Sequence, residues 1–128
     1  MNRLYYALPL LFSLFVTELL FSGDVPKEKP AFIEMTVHDF MEDYTKPATK
    51  LARKGKKEKL VESLKVMPSM ALESQKEDWE KIVNKALSSG DYKASCKSCH
   101  SKYKKKYKKT YRKRLVKVPS ELLELFKK

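Results

Sequence analysis

The sequence predicts an all-α protein, an antiparallel four-helix bundle followed by a short helical tail. Three observations carry this. Apolar residues recur at steps of three and four through four successive stretches. Short clusters of Pro, Gly and polar residues separate those stretches. No stretch reads as the strict alternation of a half-buried strand, and no internal repeat is present. With 128 residues there is room for one domain. Only 3 Gly argue against glycine-rich phosphate loops. The 2 Cys exclude a disulfide-dense scaffold.

The elements follow in order. Residues 1–23 read as a secretory signal peptide: Arg3 gives the positive start, and the apolar run Leu4 to Val16 has the length of an h-region. An uncleaved membrane anchor is the alternative, weakened by Glu18, which is costly inside a bilayer. Residues 24–31 are a polar leader carrying Pro26 and Pro30. Residues 32–117 are then the helical domain, and 118–128 a short amphipathic tail.

The first helix is expected over Phe32 to Lys54. Ile33, Val37, Phe40, Tyr44, Ala48 and Leu51 form its apolar face, at steps of 4, 3, 4, 4 and 3. Pro47 kinks it or restarts it, with Thr45 as the cap. Lys54-Gly55-Lys56 is the turn. The second helix spans Lys57 to Met67, with Leu60, Val61 and Leu64 inward, and Pro68 ends it. The third runs from Gln75 to Ser88 on a stripe of Trp79, Ile82, Val83, Ala86 and Leu87. Ser74 and Glu77 fit a capping box at its start, and Gly90 stops it. The fourth helix is expected from Tyr92 to Lys117, with Cys96, Cys99, His100, Tyr103, Tyr107 and Tyr111 along one side. Pro119 breaks it. Ser120 would cap the tail, whose apolar residues are Leu122, Leu125 and Phe126.

The strongest chemical signal is Cys96-Lys97-Ser98-Cys99-His100, a CxxCH motif that reads as a c-type haem attachment site. Two thiols on one helical turn can each add to a porphyrin vinyl group. The following imidazole reaches the iron from the proximal side. Attachment of this kind takes place outside the cytoplasm, in agreement with the export signal. It also suits a mature chain of about 105 residues, which is small for a self-sufficient core. The competing readings are weaker. A Cys96–Cys99 disulfide would staple a single turn. A thioredoxin-like pair calls for a strand before the helix. A zinc site wants four ligands, and His38 is the only further Cys or His.

With its CxxCH late in the chain and three helices before it, the sequence resembles the class II cytochromes c, the cytochrome c-prime and cytochrome c556 group. The segment Lys93 to Tyr103, Trp79 on the third helix and Ser89-Gly90-Asp91 before the fourth carry the resemblance, over about Phe32 to Arg114. The short second helix, the very basic fourth helix and the tail after Pro119 depart from it. The resemblance implies an all-α four-helix bundle holding one haem c through Cys96 and Cys99, with His100 as the proximal ligand. It also implies Trp79 and Tyr103 beside the haem, and a distal side supplied by the first helix. There Met41, next to Phe40 and Tyr44, is the first candidate ligand. His38 is the alternative and Met35 a third. An open iron is the remaining option. Phe40 is expected at the haem with Met41, and Lys104 or Lys97 at its propionates.

The chain carries 28 Lys plus Arg against 16 Asp plus Glu, a net charge of +12. From Tyr92 to Lys117 there are 12 Lys plus Arg and no acidic residue. Such a surface steers acidic partners toward it. An acidic redox protein or a membrane electron-transfer complex is the expected partner. An anionic membrane surface is the alternative, and a homodimer stays open. Nucleic acid is not expected for an exported chain. The function expected is electron transport by a haem protein in the periplasm of a Gram-negative bacterium, soluble or membrane-associated. A five-coordinate haem protein that binds or senses NO or CO is the second reading. A haem-free basic module for anionic surfaces is the third. No acid–base or nucleophile constellation marks an enzyme.

Overall fold

The computed structural model describes Lys29–Lys127. The expected signal peptide and most of the polar leader lie outside these residues. The described chain is mostly helical, with four long helices and one two-stranded sheet. Strand β1 is Phe32–Thr36. Helix α1 covers residues 37–52, α2 is Glu58–Val66, α3 is Lys76–Ser89, and α4 covers residues 92–109. Strand β2 is Leu115–Pro119, and a short helix α5 is Ser120–Glu124. No described helix is long and apolar enough to cross a membrane.

The sheet corrects two helix boundaries. Phe32 to Thr36 does not belong to the first helix, and the fourth ends at Lys109 rather than Lys117. The two segments pair antiparallel, with Ile33 opposite Val118 and Met35 opposite Val116. Alternation puts Val116 and Val118 into the core and leaves Leu115 and Lys117 outside. The β-branched valines suit this pleated, half-buried surface. Helix α1 therefore starts at Val37, where the Thr36 hydroxyl accepts from the Asp39 amide at 3.1 Å.

Neither α1 nor α4 is a regular α-helix throughout. Each contains one wider π turn, Met41–Thr45 in α1 and His100–Lys104 in α4. In α1 the cause is Pro47. Its ring would clash with the carbonyl four residues back, and it has no amide to offer. The widened turn resolves this, with the Lys46 amide reaching back to the Met41 carbonyl. The helix runs on through Pro47, so Thr45 is no cap. Its buried hydroxyl has no hydrogen-bond partner among the described residues. In α4 the side chains that face inward recur at steps of four: Cys99, Tyr103, Tyr107 and Tyr111. In a regular helix each such step overshoots by about 40°. A wider turn absorbs part of that drift.

The remaining corrections are local. Helix α2 ends at Val66, one residue before the expected Met67, and Pro68 lies in the 3-10 turn Met67–Met70 that follows. Gln75 precedes α3 with no side-chain cap, so the Ser74–Glu77 box does not form. Gly90 ends α3 as expected, with a left-handed φ of 71°. The structure adds an unexpected cap: the Asp91 carboxylate accepts from the Ala94 amide at 3.0 Å and starts α4.

Consecutive helices pack directly, α1 on α2 and α3 on α4. The core runs from Phe40, Leu60, Met70 and Trp79 to Val118, Leu122 and Leu123. The tail is thus part of the core, not an appendage. Ser120 does not cap α5. Its hydroxyl donates to the Pro30 carbonyl and its amide to the Ala31 carbonyl at 3.0 Å. Phe126 meets Tyr44 edge-on at 5.2 Å, while Leu125 is exposed. The far end of α4 is tied down in turn, since the Arg114 guanidinium donates to the Met70 carbonyl.

Candidate functional site

Two adjoining chambers, of about 420 and 580 Å³, open between α1 and α4. Met41, Glu42, Trp79, Cys99 and His100 line both. Their size is that of a site for a small organic molecule or cofactor. The first chamber is walled by Leu64 from α2, Met67 from the turn after it, and Ile82, Val83 and Ala86 from α3, an apolar side. Cys96 and Ser95 complete its α4 side. The second is walled by Tyr103, Tyr107 and Tyr111, with His38 and Val37 opposite.

The two cysteines and the histidine therefore meet one space. Asp91 starts α4 and fixes the helical register, so Cys96 and Cys99 stand one turn apart. His100 opens the π turn that follows. The cysteines are half-buried and not bonded to each other. Burial pushes both thiols toward the protonated form, Cys99 up to about 11 with help from Cys96 and Asp78. Burial also lowers the His100 imidazole, with Lys104 adding to it. A neutral ring nitrogen is what binds a metal. Zinc would demand ionised thiolates and more ligands. Among the described residues no cluster of three or more His, Cys, Asp or Glu side chains could hold a bare ion.

Trp79 lines both chambers and Tyr103 the second. Trp79 is 3% exposed and packs against Tyr103 and Tyr107, with ring centroids 5.6 and 5.3 Å away. Tyr103 donates its hydroxyl hydrogen bond to the Asp78 carboxylate, which Lys102 also meets at 2.8 Å. These bonds hold Asp78 below the usual carboxylate range, Lys102 contributing first. The Tyr107 hydroxyl accepts from the Leu72 amide at 3.2 Å and lies 3.1 Å from Gln75 Oε1. The tyrosine row is thus fixed at its far ends to α3 and to the segment before it.

Of the distal candidates, Met41 borders both chambers and His38 only the second, from an exposed position. Met35 lies on β1 and lines neither. Phe40 corrects an expectation: it is fully buried, stacks on Tyr44 at 5.8 Å and touches neither chamber. The helical step from Met41 turns Phe40 into the core instead. Lys104 lines the second chamber, whereas Lys97 is exposed and lines neither.

Several lining residues carry no sequence motif. Lys108 and Arg112 continue the His100–Lys104 row at steps of four, a signal visible in the sequence. Thr45, Lys46, Thr49, Lys50 and Arg53 line the first chamber from α1. Their face becomes apparent only once the π turn has rotated the helix, because one extra residue turns the following side chains by about 100°. No protein-family model, curated protein or solved structure matches this chain.

Proposed function

We propose that the chain is an exported c-type haem protein, an antiparallel four-helix bundle that carries electrons in the periplasm. A single observation carries this: Cys96, Cys99 and His100 on one stretch of α4 face an apolar space whose opposite wall presents Met41. The donor set fits a haem. Two thiols would bond covalently to the porphyrin edge, a neutral imidazole would ligate the iron, and the Met41 thioether would offer a second ligand.

A haem iron held there supplies a one-electron couple. The chain's own residues do the rest. Cys96 and Cys99 would prevent haem dissociation. His100 would ligate the iron. Leu64, Met67, Ile82, Val83 and Ala86 keep water from the buried side, while Trp79 and Tyr103 pack across the middle. Met41 would offer the iron a thioether, a ligand type that raises a haem's potential and suits a carrier.

The test is expression with export in a host that matures haem c. The expected result is a polypeptide heavier by one haem that stains for haem peroxidase after denaturing electrophoresis. Its reduced and oxidised spectra would be low-spin. An intact mass equal to the bare polypeptide would overturn the reading. A covalent haem with a five-coordinate, high-spin spectrum would instead assign the protein to gas binding.

A further inference from the structure

We infer that the second chamber's cationic rim, Lys104 and Lys108 on α4 with Arg112 in the turn after it, is a docking surface for an acidic redox protein. The inference rests on the electron-carrier reading and names its partner. The three residues follow His100 at successive steps of four and border the same chamber. All three are exposed, and none has an ion pair among the described residues. No acidic residue occurs between Asp91 and Glu121, so nothing on α4 offsets their field. The α1 side of this second chamber differs. It is formed by Val37, His38, Met41 and Glu42, and the one carboxylate among them, Glu42, is paired with Lys46 at 2.6 Å. Lys50 and Arg53, unpaired among the described residues, line the first chamber instead.

A strong cationic field at one lip of the cavity favours a negatively charged surface there and raises encounter rates. A partner seated on this lip would come close to His100, the group that holds the iron in the proposed function. A protein fits better than a lipid surface. Binding in a bilayer interface needs an amphipathic segment with its apolar side free. The candidate segment, α5, has Leu122 and Leu123 buried in the core. Of the exposed large apolar side chains, Phe32 and Ile33 lie at one end of the strand pair, Leu115 at the other and Leu125 after α5, and none of them lines the second chamber.

The experiment compares two triple variants of the matured haem protein that lose equal charge. One is Lys104→Gln, Lys108→Gln and Arg112→Gln. The other is Lys54→Gln, Lys56→Gln and Lys76→Gln, exposed cations outside both chambers. Affinity for a plant-type [2Fe–2S] ferredoxin, an acidic protein, is measured by titration at low salt. Vesicles of phosphatidylserine and phosphatidylcholine form a second arm. The expected result is ferredoxin binding weakened about tenfold or more by the rim variant and less than about threefold by the other. Equal weakening by both would overturn the inference, since net charge alone would then suffice. Binding to vesicles but not to ferredoxin would overturn it in favour of a lipid surface. The titration needs no haem signal. A chain lacking haem that still binds through the rim would sink the carrier reading and leave the surface standing.

Discussion

Met41 and His100 border the same two chambers from opposite helices, and each is the first residue of a π turn. Widened turns recur at functional sites because an added residue re-aims the side chains around it. Here the two turns bring a thioether and an imidazole to the two sides of one space. Pro47 enforces the first turn. The second accompanies the four-residue spacing of Cys99, Tyr103, Tyr107 and Tyr111.

This relationship predicts the distal ligand. Met41→Ala in the haem-loaded protein should convert low-spin ferric iron to high-spin and abolish the weak red-edge absorption of a thioether–iron bond. His38→Ala should leave both unchanged, because His38 lies only on the exposed side of the second chamber. Magnetic circular dichroism of the two variants reads the difference. A Met41→Ala protein that keeps thioether-type absorption would reject the assignment.

The Asp78–Tyr103 contact predicts a stability plateau with two edges. The Asp78 carboxyl lies below its ordinary value of 3.8, held there by Lys102 first and then Tyr103. A lowered acid stabilises the fold above its unfolded value, and the contribution is lost as pH falls through the folded one. Tyr103 lies above its ordinary value of 10.0, through burial first and then Asp78. A raised group stabilises below its unfolded value and loses that contribution as pH rises through the folded one. Asp78→Asn should therefore flatten the acid limb below pH 3.8 and reduce stability at neutral pH. Urea midpoints measured across the pH range check this. An unchanged acid limb would show the pair to be energetically silent.

What the sequence revealed and what it hid divide by range. The end of α3 was legible because Gly90 acts on its own neighbours. The CxxCH turn was legible for the same reason. The first and last boundaries were not, because β1 and β2 pair residues far apart in the chain, Phe32 with Pro119. The short alternation in Leu115 to Pro119 was present, but the long basic helix before it masked the change of period. Ile33 and Val37 also share a helical step, so a strand could pass as the first turn of a helix. Of the residues that line the chambers, Trp79, Tyr103 and Met41 were legible in the sequence. Phe40 was misplaced by one helical step. The α1 lining from Thr45 to Arg53 depended on a π turn that no local periodicity announces.

The burial of the tail predicts a cost that a membrane-lying or free tail would not show. Leu123 is 5% exposed and belongs to the same core as Phe40 and Val118. Leu123→Ala should destabilise the protein by about 2–5 kcal/mol, the range for truncating a buried leucine. Leu125→Ala, at an exposed position, should cost much less. Denaturant titration of both variants decides. Equal, negligible effects would mean that α5 does not pack on the helices.

Pro47 supplies the last prediction, because it separates the geometry of the site from its composition. Pro47→Ala restores an amide and removes the ring that opposes a regular turn. Alanine is also the better residue within a helix. Residues 41–45 should then return to α-helical spacing, which would lead to a change in the direction of Met41 relative to the helix beyond it. The variant should keep its covalent haem, since Cys96, Cys99 and His100 are untouched, and should be at least as stable as the parent. Its ferric spectrum should nevertheless move toward high-spin as Met41 loses its aim at the iron. Mass spectrometry, thermal unfolding and the ferric spectrum of one preparation read all three. A fully low-spin, thioether-ligated iron in Pro47→Ala would mean that the π turn in α1 has no part in setting the distal ligand.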